Sequence, residues 1–340
     1  MMNKRIQILA LLIGLLTMGC QSQRNHPDVS KVEVNIHLER FEQDLFSNKD
    51  SLQTSDIAVL KQKYGHFFYL FCNNVIRIGS GTDTELTAGL NAFIHDPEVK
   101  SVQEKINKEY PQTAELEKEL SGFLKHLKYY FPEKPLPEIV TYNSAFNYAV
   151  VTADSVLGIG LDMFLGANEE SYIRLGIPKY MFDKFSREYI LPSCVKGWFQ
   201  SDFDGSDVKG DLISQMIYQG KLLYYMDLMV PDLADTLKTG YTATQLEWCR
   251  NNEEGIWAFF IDKKLLFNND PSEYVKYIND GPTTSGFPPD SPGKIGAWIG
   301  WQIVQKYMNE NPSVTIEQLL KEQDAQKILE KSHYKPQRKA

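Results

Sequence analysis

Apolar positions recur along the chain at two different periods, and the changes of period divide it into parts. Val32, Val34, Ile36 and Leu38 alternate with Glu33, Asn35, His37 and Glu39, the period of two expected of a half-buried strand with His37 on its polar face. Residues 55–131 switch to helical spacing. Ile57, Leu60, Tyr64, Phe67, Phe68 and Phe71 form one stripe, and Leu86, Leu90, Phe93 and Ile94 a second. Leu116, Leu120, Phe123, Leu124 and Leu127 form a third, opposite a face crowded with Glu and Lys. Such stripes are what helices bury, so these aromatics read as core rather than as a cofactor box. After Pro135 and Pro137 the period shortens again. Glu138–Tyr142, Asn147–Thr152 and Ser155–Leu161 are short, rich in Val, Ile and Tyr, and separated by turn residues, predicting a small sheet. Helices resume at Pro178 and run to the end.

Helix signals punctuate that last part. Thr242 with Gln245 and Thr315 with Gln318 have the spacing of capping boxes, in which each partner satisfies a backbone N–H of the other. Ser291-Pro292 reads as an N-cap followed by proline at the first helical position. Gly293, Gly296 and Gly300 follow. Each glycine costs about 1 kcal/mol against alanine inside a helix, so the set predicts close approach of another core helix. The pattern predicts a predominantly helical α+β fold, with residues 32–340 as one domain. A separate helical subdomain over 32–135 is the alternative.

Residues 1–19 change the picture, because they read as a leader rather than as part of the fold. Lys4 and Arg5 precede an apolar run from Ile6 to Leu16, too short for the roughly 20 apolar residues that span a bilayer. The run ends in Leu16-Thr17-Met18-Gly19-Cys20, which resembles the lipobox of bacterial lipoproteins. That resemblance implies lipidation of Cys20, here including an amide-linked palmitate-type chain, with residues 20–31 as a tether. Gln21 and Ser22 follow without the Asp associated with inner-membrane retention, so an outer-membrane anchor facing the periplasm is expected. The formal net charge is −8, and processing removes two of the basic residues. Such an acidic chain argues against a nucleic-acid partner. Cys72, Cys194 and Cys249 show no metal-ligand spacing and are expected mostly as buried thiols.

Around Phe185–Gln200, FSREYILPSCVKGWFQ, the chain resembles the frame of zinc metallopeptidases. An apolar Gly-rich run (VLGIGLDMFLG, 156–166) precedes it, and a helical segment containing MIYQGKLLYYMD (216–227) follows. The zinc chemistry needs two histidines one helical turn apart and a Glu as general base. No histidine lies between His126 and His333. If Arg187–Leu191 fills the His-Glu-x-x-His slot, only Glu188 survives; if Pro192–Lys196 fills it, nothing does. Gln219 stands where a third ligand would be, and an amide oxygen is a poor zinc ligand. No metal and no cofactor are expected.

Taken together, VEVNIHLERFEQDLF, GIGLDMFLG, SREYILPSCVKG, MIYQGKLLYYMD, LEWCRNNEEGIWAFF and GFPPDSPGKIGAWIGWQIVQKYM resemble, in order, the gliding-motility lipoprotein B (GldB-type) family. The resemblance implies a zincin-like frame with its metal site lost, working in gliding or outer-membrane secretion through envelope protein partners. A cleft above the vestigial helix is then expected to expose Asp162, Arg187, Glu188, Tyr218 and Gln219, with 280–289 as a mobile rim. The competing expectation is a hydrolase with a non-zinc site around Asp162 and Glu188. Gly281–Gly286 lacks the Lys-Ser/Thr of a phosphate loop.

Overall fold

A computed structural model describes residues 26–47, 51–153 and 155–336. Two compact units are distinguished, Met1–Lys31 and Val32–Ala340. In the first, residues 26–31 are described, and Ser30 N donates to Asp28 Oδ1 at 2.9 Å. The lipidation expected at Cys20 lies outside the described residues.

The second unit is built on a four-stranded sheet of order β1-β2-β4-β3, with β1 at Leu38–Arg40, β2 at Glu138–Tyr142, β3 at Val150–Ala153 and β4 at Val156–Gly160. β1, β2 and β4 run parallel, and β3 is an antiparallel edge strand on β4. The N-terminal strand therefore joins the small sheet instead of standing apart. Residues 32–37 keep the expected alternation of exposure, yet only 38–40 pair as a strand.

Alternation along the strands gives each sheet face its own core. Val140, Tyr142 and Val156 pack with Phe41, Phe67, Phe68 and Phe71 on one face. Ile139, Leu157 and Ile159 face the larger cluster on the other. The first face is covered by α1 (Phe41–Leu45), α2 (Thr54–Leu70) and α3 (Asp83–His95). Gly158 makes room there, since a Cβ on it would press on Phe67 and Tyr142. Asp96 caps α4 (Pro97–Glu109), accepting from Glu98 N and Val99 N. Next comes α5 (Ala114–Tyr130), whose stripe is buried as its spacing predicts.

After the sheet, a short helix α6 (Glu170–Arg174) and 3₁₀ turns at Lys179–Phe185 and Arg187–Tyr189 lead into α7 (Ile190–Asp202). The helix expected from Pro178 is therefore 3₁₀ at first and becomes α only at Ile190. Then follow α8 (Leu212–Met229), α9 (Asp235–Thr239), α10 (Ala243–Asp262), α11 (Pro271–Ile278), α12 (Ile295–Glu310), α13 (Ile316–Lys321) and α14 (Ala325–Ser332). Both capping boxes form, at Thr242 with Gln245 and at Thr315 with Gln318.

Ser291-Pro292 does not cap α12. That helix starts after Lys294, which is in the left-handed region at φ 46°. The Ser291 hydroxyl instead accepts from Thr284 N at 3.4 Å, and the Pro292 carbonyl accepts from Thr284 Oγ1 at 2.6 Å. Gly293 thus lies before the helix, packed on Gly281. Gly300 does what the spacing predicts: α12 crosses α8 so closely that a Cβ on Gly300 would collide with the Met216 carbonyl, and one on Gly220 with the Gly300 carbonyl. Cys72, Cys194 and Cys249 are buried free thiols. No described helix is long and apolar enough to cross a membrane.

Candidate functional site

Parallel strands direct their carboxyl ends to one side of the sheet, and buried carboxylates collect there. Glu42, fully buried, accepts from Arg40 Nε at 2.7 Å and from Thr141 Oγ1 at 2.8 Å. Burial raises its pKa, and Arg40 opposes that rise. Asp162, just beyond β4, is also fully buried. It accepts from Ser144 N at 2.9 Å, Ser144 Oγ at 2.6 Å and Phe146 N at 2.5 Å. Burial raises the Asp162 pKa against those hydrogen bonds. Its work is visible in the turn it holds: Ala145 and Phe146 sit at φ 52° and 63°, a conformation costing a non-glycine residue roughly 1–2 kcal/mol. Asp162 is a structural pin of the 143–148 turn, with no exposure to a cleft. That corrects its expected place bordering a cleft.

The other expected cleft residues separate as well. Arg187 and Glu188, on the 3₁₀ turn before α7, border a groove of about 530 Å³ between α5, the start of α7, the end of α8 and α9. Tyr218 faces a smaller cavity of about 150 Å³, closed by the 203–208 loop and the α13–α14 junction. There its hydroxyl donates to the Phe203 carbonyl at 2.7 Å. Asp280 belongs to a third cavity of about 330 Å³, bound by Lys184 Nζ at 2.6 Å and Lys294 Nζ at 3.1 Å. Burial raises the Asp280 pKa, but the two ammonium groups outweigh it and hold the carboxyl well below its ordinary range. The loop behind Asp280 is pinned by Thr284 and by Phe287, whose ring lies 4.7 Å from that of Phe259. Gln219 lines none of these three cavities. Arg187 and Glu188, Tyr218, and Asp280 therefore border three separate cavities in place of the one expected cleft.

Of the three, the Arg187 groove is the largest and has the mixed lining of a binding site. Leu191, Leu233 and Leu237 supply half-buried apolar surface over a floor of buried Phe123, Met229 and Val230. Glu115, Lys118, Glu119, Arg187, Glu188 and Asp232 stand around it. Arg187 Nη1 donates to both Glu119 oxygens at 3.2 and 3.1 Å, and Nη2 lies 3.6 Å from Glu115 Oε2. Glu188 is solvent-facing; a hydrogen bond from the Ser186 side chain lowers its pKa. A general base working near neutral pH needs the opposite shift. The groove's α9 wall is fixed from behind. Lys238 Nζ pairs with Asp227 Oδ1 at 3.0 Å, both side chains 5% exposed, and Trp301 Nε1 donates to Asp227 Oδ2 at 2.9 Å.

Neither proposed register of a metal-binding helix fits zinc. Arg187–Leu191 straddles the 3₁₀ turn and the first residues of α7, while Pro192–Lys196 lies wholly inside α7. Both registers lack imidazoles, and no group of three His, Cys, Asp or Glu among the described residues is arranged to hold a metal ion.

The sequence reading named Arg187 and Glu188, which border this groove, but not the α5 face or the Met229–Leu237 segment that line it with them. A lone glycine at 122 within the helical stripe of α5 was the one irregularity in the sequence there.

Against known proteins, no curated protein and no solved structure gives a significant match. The family model described as gliding motility protein GldB matches residues 22–336, which cover both sheet faces, the groove and the α8–α12 crossing. The chain belongs to the family of gliding motility protein GldB, a lipoprotein family.

Proposed function

We propose that this chain is a non-catalytic envelope lipoprotein, anchored through lipid on Cys20 to the outer membrane and facing the periplasm. It supports gliding or outer-membrane secretion machinery by holding a protein partner in the Arg187–Glu188 groove. The observation that carries the reading is the groove itself: apolar surface open to solvent, a charged rim, and walls held by α5, α7, α8 and α9. The kinship with zinc peptidases is part of the proposal. Its support is the succession of β4, α7 and α8 in the order such frames use, without ligands. A hydrolase around Asp162 and Glu188 is disfavoured by their environments. Asp162 is enclosed and occupied by the turn it holds, and Glu188 is exposed with a lowered pKa.

The test is complementation of a deletion strain of the source bacterium. Arg187→Glu with Glu188→Lys should lose the cellular function while the protein stays in the membrane fraction with a nearly unchanged thermal midpoint. Cys20→Ala should leave the membrane fraction. Glu188→Asp, which keeps the charge of the rim but draws the carboxylate back by one methylene, should complement fully; loss of function there, with folding intact, would favour the hydrolase. Full complementation by the double reversal would move the partner surface elsewhere.

A further inference from the structure

The charge around the groove is unbalanced in one direction. Glu115, Glu119, Glu188 and Asp232 face only Lys118 and Arg187. Arg187 is already engaged by Glu119 and lies near Glu115, so the groove offers little free positive charge. The 18-residue α8 ends at Met229, on the groove wall. The carboxyl end of such a helix carries about half a negative charge on its free carbonyls. The opposing positive end of α9 belongs to a five-residue helix with Asp235 in its first turn, so it offsets little of that field.

Gly122 keeps the α5 side of the groove open. It lies within the 17-residue α5 and lines the groove. A Cβ built on it meets no atom within 4 Å beyond its own helix backbone. Glycine there costs about 1 kcal/mol against alanine, and no neighbour in the fold requires it. The missing side chain leaves the groove open beside Phe123 and His126, whose Nδ1 is 2.9 Å from the Gly122 carbonyl.

We propose that the groove receives a cationic, apolar peptide segment of a partner protein. Its apolar side chains would lie on the half-buried Leu191, Leu233 and Leu237, and its Arg or Lys would face Glu115, Glu188 and Asp232. This rests on the groove being the partner site at all, and the measurement separates the two ideas. Complementary charge sets register and on-rate, while burial of apolar groups supplies most of the affinity.

The experiment uses the full chain in nonionic detergent and three labelled peptides of about ten residues, long enough to cross such a groove. Leucine is combined with arginine, glutamine or glutamate. Each is titrated against wild type and against Gly122→Met at the same detergent concentration, so that uptake by micelles cancels. Met is a good helix former, so Gly122→Met should fill the groove without lowering the thermal midpoint. The Leu–Arg peptide is expected to bind about tenfold or more tighter than Leu–Glu at low salt, and to lose about tenfold on Gly122→Met. Glu115→Gln with Glu188→Gln should narrow the gap between the Arg and Glu peptides. If all three peptides bind equally and Gly122→Met blocks all three, the groove is a docking site but its cationic preference is overturned. If Gly122→Met changes no titration, or no peptide binds wild type, the docking idea falls with it.

Discussion

Where α8 crosses α12, Gly220 and Gly300 face backbone so closely that neither can carry a side chain. Where the end of α8 meets α5, Gly122 faces open space. The same residue type thus marks a backbone-to-backbone contact in the core and an open stretch of the groove wall. At the crossing, removal of side chains lets two helices approach to backbone contact, and the nearby buried Asp227–Lys238 pair fixes their surroundings. At the groove, removal of a side chain brings no internal gain. The comparison shows that helical glycine is informative only together with what its missing Cβ would touch.

The largest effect that can break this comparison is at the crossing. Gly300→Ala forces a methyl into the Met216 carbonyl, and overpacking of this kind costs roughly 1–3 kcal/mol or more. The expected outcome is a clear loss of stability in chemical denaturation, or failure to accumulate folded protein. A Gly300→Ala chain as stable as wild type would mean that the helices separate easily, and that the crossing is not what holds α8 in place.

A second effect distinguishes the closed side of α8 by its pH dependence. Lys221 is buried at 8% exposure, and its ammonium donates to the Glu322 carbonyl and to that of Leu320, at 3.5 Å for the latter. Burial lowers its pKa from 10.5 to about 8, with Glu322 opposing. Between those values the unfolded chain holds a proton that the folded chain has released. Stability contributed by this site therefore rises as pH climbs from about 8 to 10.5, by up to about 3 kcal/mol. Burial lowers Lys294 to about 8 as well, despite Asp280, so wild type alone cannot assign the slope. Lys221→Met should remove part of it. Equal slopes for variant and wild type across that window would place the titration elsewhere.

Much of this architecture was legible because local and tertiary preferences agree. The stripes of α2, α3 and α5 are buried where their period put them, with Phe93 only partly covered. Thr242 and Thr315 open helices because the box is complete within four residues. What could not be read was decided by partners distant in sequence. Ala145 and Phe146 adopt a glycine-like backbone only because Asp162, sixteen or more residues away, accepts from Ser144 and Phe146. Ser291-Pro292 has the letters of a helix start, but Thr284 takes the Ser291 hydroxyl and the Pro292 carbonyl. Arg187 and Glu188 were found through their place in a family-like block. Leu233 and Leu237 were not, since isolated leucines near a chain reversal carry no signal until α9 folds back onto Asp227.

The smallest expected effect sharpens the comparison most, because one substitution should act with opposite signs at two glycines. Gly122→Ala adds a methyl that touches nothing and removes the conformational cost of glycine in a helix, so it should stabilise the chain by up to about 1 kcal/mol. Gly255 is a control: it lies inside α10, exposed, and its Cβ would also meet nothing. Gly255→Ala reports helix propensity alone. Equal gains at 122 and 255 mean that the groove beside α5 is as open to a methyl as bulk solvent is. If Gly122→Ala instead destabilises, or gains much less than Gly255→Ala, the space over Gly122 closes in solution. The two glycine regions would then be of one kind, and the groove would not stand ready for a partner.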